Sequence, residues 1–221
     1  MHLYSLCLKL QGTHCVVIGG GNVARRKVAS LIECGARVTV VSPELCEELE
    51  MRAQSGEIEA VRREFQPDDL RGARLAIAAT NNRAVNESAA AAARQMGVLL
   101  NVVDVPDLCD FYVPASVRRG QLEIAVSTTG AFPALAKKLR LEIESKFGPE
   151  YGPYIELLDE LRQEIKARVS DAAERNRAEE ALLEAPVLET LARGRMDEAR
   201  ILLRKVASPW LGTGDLEDDK G

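Results

Sequence analysis

A short apolar run, Cys15-Val16-Val17-Ile18, leads directly into Gly19-Gly20-Gly21-Asn22-Val23-Ala24-Arg25-Arg26-Lys27. A buried strand that breaks on glycines and restarts as a helix leaves few folds open. The start of a helix presents free backbone N–H groups and a partial positive charge, which suits a pyrophosphate. Gly19 permits the tight turn, and Gly21 lets phosphates approach the backbone. Ala24 takes the place of the third small residue, where helix packs on strand. The pattern is GxGxxA, and Gly20, Asn22 and Val23 complete the candidate dinucleotide-binding turn. Such a motif alone is weakly specific. Here it stands at the first strand-to-helix turn of a chain that keeps alternating.

The alternation continues through the first hundred residues. Strands are expected at residues 14–18, 37–41, 58–62, 75–79 and 98–103. Helices are expected at 22–34, closed by Gly35; at 43–54, with Ser42 as N-cap and Pro43 in first position; and at 82–96, closed by Gly97. Residues 67–70 read as one helical turn. The pattern predicts a Rossmann-like, doubly wound parallel sheet of order 3-2-1-4-5. After Pro106 the rhythm changes. Residues 112–118 and 121–127 read as an antiparallel hairpin turning on Arg119-Gly120. A helix follows at 131–147, then punctuation at Gly148-Pro149 and Gly152-Pro153. Residues 154–206 read as helices, with Ile155, Leu158, Leu161 and Ile165 as an apolar stripe. Residues 212–221 read as an acidic, disordered tail. Four pieces are expected: an NAD-binding domain at 1–112, a small α+β dimerisation region (hairpin plus helix) at 113–148, a helical domain at 149–208 and a tail at 209–221.

Composition narrows the function. With 46% hydrophobic and 29% charged residues, the 221-residue chain reads as a soluble globular protein. Its net charge of −5 and 4% aromatic content argue against nucleic acid as a partner. No window nears the ~18 apolar residues of a membrane span. The N-terminus lacks the basic and apolar regions of a signal peptide, so a cytoplasmic location is expected. Cys7, Cys15, Cys34, Cys46 and Cys109 form no CxxC pair and read as small hydrophobes in a reducing compartment. His2 and His14 are too few for a histidine metal cage, and no metal site is expected.

Several constellations carry chemistry. The usual carboxylate after strand two, which holds the adenosine ribose diol, is missing. Ser42-Pro43 stands there instead, with Ser42 either bonding the ribose or only capping a helix. Arg25, Arg26 and Lys27 either reach a phosphate or stay on a solvated face. Thr80 and Asn81 follow strand four, where they would line the nicotinamide side of a dinucleotide crevice. Asp104 follows strand five in Asn101-Val102-Val103-Asp104-Val105-Pro106. With apolar Val103 and Val105 beside it, it suits a general base; a turn-forming Asp before proline is the alternative. Ser127, Thr128, Thr129 and Gly130 precede a helix start, as an anion site or as caps. Arg118, Arg119, Lys137, Lys138 and Arg140 gather nearby, suiting a polyanionic small molecule or forming ordinary surface charge.

Taken together, these stretches resemble the precorrin-2 dehydrogenase / sirohydrochlorin ferrochelatase family, the N-terminal module of siroheme synthase. The resemblance rests on residues 17–27, Gly35-Ala36-Arg37-Val38-Thr39-Val40-Val41-Ser42-Pro43, Leu75-Ala76-Ile77-Ala78-Ala79-Thr80-Asn81, residues 101–106 and Ala125-Val126-Ser127-Thr128-Thr129-Gly130-Ala131-Phe132-Pro133. Order and spacing agree over roughly residues 1–150, and the helical region agrees more loosely. The resemblance implies NAD+-dependent oxidation of precorrin-2 to sirohydrochlorin, on the way to siroheme or cobalamin. The family's essential aspartate falls on Asp104, and the missing ribose carboxylate is typical of the family. It implies a homodimer formed through the region after the nucleotide domain, with Ser127, Thr128, Thr129, Gly130, Arg118 and Lys137 toward a tetrapyrrole substrate. Some members also insert Fe2+ into sirohydrochlorin. The expected chain end falls where a fused methyltransferase domain would begin, so a separate enzyme would supply precorrin-2. An NAD-sensing binding module and a structural dimer subunit are the readings from other classes.

Overall fold

The structure, a computed structural model, describes residues 3–212. The chain divides into one compact unit up to Val113 and a second from Pro114 onward.

In the first unit five strands, β1 (His14–Ile18), β2 (Arg37–Val41), β3 (Glu59–Val61), β4 (Leu75–Ala78) and β5 (Leu99–Val102), form one parallel sheet. Their order is β3-β2-β1-β4-β5, as the alternation predicts. Strands β1 and β4 are central, and from Cys15 to Ile18 and Leu75 to Ala78 every residue is buried. That is why both read as continuous apolar runs rather than alternating ones. Helix α1 (Asn22–Glu33) covers one face, packing Ala24, Val28 and Leu31 with Val17, Val40 and Ile77. Helix α3 (Arg83–Met96) covers the other, where Ala89, Ala90, Ala92 and Ala93 meet Val16, Ala76 and Leu100. The alanines let this helix lie close to the sheet. Gly35 and Gly97 close α1 and α3 in left-handed conformations, with φ of 73° and 68°.

Between these helices lies α2 (Glu47–Gln54), which corrects the expected start at Pro43. The Ser42 hydroxyl donates to the Glu44 carbonyl at 2.7 Å, and Cys46 N–H donates to the Gly20 carbonyl at 2.8 Å. Ser42 therefore closes a turn that ties residues 42–46 to the glycine loop, and Ser42-Pro43 does not begin a helix.

In the second unit β6 (Ala115–Arg119) and β7 (Leu122–Val126) pair antiparallel, Arg118 opposite Glu123. Helix α4 (Pro133–Lys146) packs on both strands. Helices α5 (Tyr151–Arg168), α6 (Ala172–Leu183), α7 (Leu188–Ala192) and α8 (Met196–Leu211) bury Leu157, Leu161, Ile165, Leu182 and Leu203 in a core of their own. Gly152-Pro153 does not punctuate. It lies in the first turn of α5, where a missing N–H breaks no hydrogen bond. The buried stripe of α5 runs through Tyr154, Leu157, Leu161 and Ile165, so Ile155 and Leu158 flank it. Helix α8 continues to Leu211, into the start of the expected tail; residues 213–221 lie outside the described residues.

Candidate functional site

Three strand ends on one edge of the parallel sheet build the site. At the end of β1, Gly19 has φ of 112°, and a Cβ there would stand 2.4 Å from the Ala79 carbonyl oxygen. A Cβ on Gly20 would stand 1.9 Å from the Glu44 carbonyl oxygen. These two glycines are required by close approach of the protein's own backbone. Gly21 differs, because a Cβ there would meet nothing within 4 Å. Its open side lies at the N-cap of α1, where no side chain caps the helix and no acidic residue occupies the first turn. The first amides of α1 therefore keep free donors beside an open backbone face, which fits a dinucleotide pyrophosphate. Gly19, Gly20 and Ala24 shape this turn, and Gly21, Asn22 and Val23 present it.

Opposite the turn lies a cleft of about 560 Å³, lined by Val23, Thr80, Asn81, Asn86, Asp104 and Asp107 among others. It brings together residues from the ends of β1, β4 and β5, the crevice at which α/β sheets bind ligands. Thr80 and Asn81 line it as expected, and the N-capping of α3 falls to Asn82, whose Oδ1 accepts from Ala84 and Val85 N–H. Asp104 also lines it, with a left-handed backbone at φ 61°.

Sequence reasoning missed Asn86. It is 4% exposed; its Nδ2 donates to the Thr80 carbonyl at 3.1 Å, while its buried Oδ1 accepts nothing from the protein. An unsatisfied buried acceptor beside the Thr80 wall of the cleft is a further sign that this cleft takes a polar ligand. The one available signal was spacing: Asn86 lies four residues after Asn82, on the same face of α3.

The cations near the turn separate by role. Arg25 pairs with Glu48 at 2.5 Å and is held away from the phosphate turn. Arg26 is exposed. Lys27 is half-buried one helical turn beyond Val23; burial pushes its ammonium below the usual lysine range, Arg26 adds to that, and the Asp104 carboxylate opposes it. Ser42 is buried with its hydroxyl hydrogen committed to Glu44, so only its oxygen lone pairs remain for a ribose, and Pro43 follows it in the same turn.

The expected substrate residues all fall in the second unit. Ser127 Oγ accepts from Thr129 N–H at 3.1 Å, and Thr128 Oγ1 accepts from Phe132 N–H at 3.3 Å. Thr129 and Gly130 complete a tight loop with φ of 52° and 81°. The basic group is largely paired: Arg118 with Glu123 at 3.2 Å, Lys138 with Glu142 at 3.8 Å and Arg140 with Glu144 at 2.6 Å. Arg119 donates to the Phe147 and Glu144 carbonyls at the end of α4. Lys137 is exposed on α4. Among the described residues no three His, Cys, Asp or Glu side chains gather as a metal site, and no helix is long and apolar enough to cross a membrane.

Two family models match the chain: "Putative NAD(P)-binding" over residues 6–115 and "Sirohaem synthase dimerisation region" over residues 150–206. A siroheme synthase of Thioalkalivibrio sulfidiphilus is 40% identical over 215 residues, covering 97% of this chain and 44% of the relative. A siroheme synthase of Methylococcus capsulatus is 39% identical, covering 94% of this chain and 44% of the relative. The chain thus spans under half the length of these curated relatives. Among solved structures, SirC, a precorrin-2 dehydrogenase, superposes with a TM-score of 0.73 at 25% identity, covering 92% of this chain and all of SirC. With an NAD(P)-binding sheet followed by the sirohaem synthase dimerisation region, the chain belongs to the precorrin-2 dehydrogenase / sirohydrochlorin ferrochelatase family, that of the N-terminal module of siroheme synthase.

Proposed function

We propose that this protein is an NAD-dependent oxidoreductase that dehydrogenates precorrin-2 to sirohydrochlorin, with Asp104 as general base. The observation that carries the reading is the convergence of Val23, Thr80, Asn81 and Asp104 on one cleft at the carboxyl ends of the strands. A binding module needs the glycine turn but has no use for a carboxylate at the far wall. The similarity to SirC and to the siroheme synthases supports the same substrate.

Dehydrogenation removes one hydride and one proton from the macrocycle. NAD+, when bound, supplies the hydride acceptor. Gly21, Asn22 and Val23 would hold its pyrophosphate at the start of α1, and Thr80 and Asn81 would orient its nicotinamide side. Ser42 and Pro43 bound the adenosine side. Asp104 faces the same cleft and takes the proton as conjugation extends. General-base help of this kind is worth about 10²–10⁴-fold in rate. In the second unit, Arg118, Lys137 and the 127–130 loop are the candidate groups for binding an anionic ligand. The protein acts as a homodimer, for which the dimerisation region at 150–206 is the support. Five free cysteines suit a reducing cytoplasm.

A second reading adds chelation, with Fe2+ as a substrate. Asp107 lines the cleft beside Asp104, so two carboxylates are available to accept the pyrrole protons that metal insertion displaces. One anaerobic assay tests both. Enzymatically generated precorrin-2 is incubated with protein and NAD+, absorbance is followed for sirohydrochlorin and NADH, and Fe2+ or Co2+ is then added. Product strictly dependent on NAD+ establishes the dehydrogenase. A further protein-dependent spectral change with metal adds chelation. Competent substrate that yields no NAD+-dependent product overturns the enzyme reading and leaves a binding module.

A further inference from the structure

Asp104 stands in a loop that leaves β5 and returns along it, and one sulfur atom braces that loop. Cys109 Sγ lies 3.2 Å from the Val102 carbonyl oxygen and 3.4 Å from that of Val105, the residues two before and one after Asp104. The same sulfur accepts from Val102 N–H at 3.2 Å and from Asn101 Nδ2 at 3.5 Å. Asn101 Nδ2 also donates to the Phe111 carbonyl at 2.9 Å. Asp110 closes the arrangement, its Oδ2 accepting from Leu100 N–H at 3.0 Å and its own N–H donating to the Leu100 carbonyl at 2.8 Å. Residues 109–111 are thereby stitched to residues 100–102, and the segment between them is a closed loop with Asp104 near its apex.

Within that loop Asp104 has φ of 61°, a left-handed conformation that side chains other than glycine adopt uncommonly, Asp and Asn among the few that do. A carboxylate held there must be fixed from elsewhere, because the relaxed backbone would rotate it out of the cleft. Among the described residues no hydrogen bond or ion pair holds the Asp104 side chain itself. Its direction is set by the backbone, and the backbone is set by the groups on either side.

We propose that Cys109 is a positioning residue for Asp104, its thiol clamping Val102 and Val105 so that the carboxylate is aimed into the cleft. This rests on the reading of Asp104 as the base. The thiol must stay protonated to donate to either carbonyl. Burial pushes it up from the ordinary cysteine range, with the nearby Asp110 charge adding and the Val102 N–H opposing. The neutral thiol is thus the form the site favours at neutral pH.

The test compares Cys109→Ala and Cys109→Ser with the unaltered full chain. It reads steady-state kinetics with precorrin-2 and NAD+, the NAD+ dissociation constant, and backbone hydrogen exchange. Ala removes both the donor and the acceptor. A displacement near 1 Å at a reacting group can cost about 10²-fold, so a partial loosening is expected to lower kcat about tenfold. Both KM values and NAD+ affinity should stay within about twofold, because the glycine turn is untouched. Ser keeps a donor and acceptor on a shorter bond and should recover most of the lost kcat. Exchange should quicken at residues 102–109 and stay unchanged in β1 and β4.

Wild-type kcat in the Ala variant overturns the proposal. So does an equal loss in Ala and Ser accompanied by faster exchange through β1 and β4, which would mark plain loss of packing. Should the Ala variant not fold, the Ser variant decides: kcat more than tenfold down with unchanged local exchange also overturns it. If the unaltered protein shows no NAD+-dependent turnover, the enzyme reading falls. The clamp is then judged by exchange, and unaltered protection at 102–109 in Cys109→Ala overturns it.

Discussion

Asp104, on the cleft wall, and Lys27, one helical turn beyond Val23, act on one another through charge. Among the described residues neither forms a hydrogen bond or ion pair with another side chain, yet the carboxylate opposes the burial that lowers the half-buried ammonium's pKa. The consequences for the two are opposite. Asp104→Asn keeps size and polarity but removes the proton acceptor, so kcat should fall about 10²–10⁴-fold while NAD+ affinity stays within twofold. Near-normal turnover in that variant would remove Asp104 from the mechanism. Lys27 is a base whose folded-state pKa is depressed, so folding is penalised while it is charged. The penalty is full below the folded value and fades as pH rises through it toward the unfolded one. Lys27→Met should therefore raise the melting temperature at pH 7, by roughly 1–3 °C, and the gain should shrink near pH ~10. Turnover should drop in the same variant, because the cation beside Asp104 is gone. A gain of equal size at both pH values would show that hydrophobic packing, not relief of a buried charge, is responsible.

The glycine turn separates folding from binding within three consecutive residues. At Gly19 and Gly20 an added Cβ meets backbone, at 2.4 and 1.9 Å, whereas at Gly21 it meets open space. Gly21 also has φ of −86°, which any residue adopts. Gly21→Ala should thus leave the melting temperature within about 2 °C, since an N-cap Ala in place of Gly costs little, but weaken NAD+ binding tenfold or more by filling the phosphate approach. Gly20→Ala should lower the melting temperature well before affinity can be measured. Calorimetry beside NAD+ titration distinguishes them, and an unchanged affinity in Gly21→Ala would place the pyrophosphate elsewhere. This element shows what was legible in the sequence. The strand-turn-helix order, the sheet order and the positions of Thr80, Asn81 and Asp104 all follow from local periodicity and from the rule that strand ends bind. What was not legible depends on side chains reaching across turns. Ser42-Pro43 has the chemistry of a helix start, but the Ser42 hydroxyl bonds Glu44 and moves that start to Glu47. Likewise Cys109, a small apolar residue by composition, becomes a clamp only once residues 100–102 and 109–111 lie side by side.

At the scale of the molecule, each of the two units carries its own core. In the second, Ala199, Leu203 and Ala207 of α8 are fully buried and meet Leu157, Leu161 and Ile165 of α5. Most of this core lies in the stretch, residues 150–206, that matches the sirohaem synthase dimerisation region. Helix pairs of this kind gain stability from packing; the Arg204–Glu164 ion pair at 2.8 Å across α5 and α8 is partly exposed and adds little. Leu203→Ala should cost about 2–5 kcal/mol, a fall of roughly 5–15 °C in the transition that reports the second unit. If the proposed homodimer forms through the matched region, sedimentation velocity should show a weaker dimer in the same variant. NAD+ affinity, measured below the transition, should remain within twofold, since residues 19–24 and 80–81 belong to the other core. An affinity that falls in step with the melting temperature would mean that the cofactor turn draws its stability from the helical unit, so that dimer and nucleotide site are one cooperative structure.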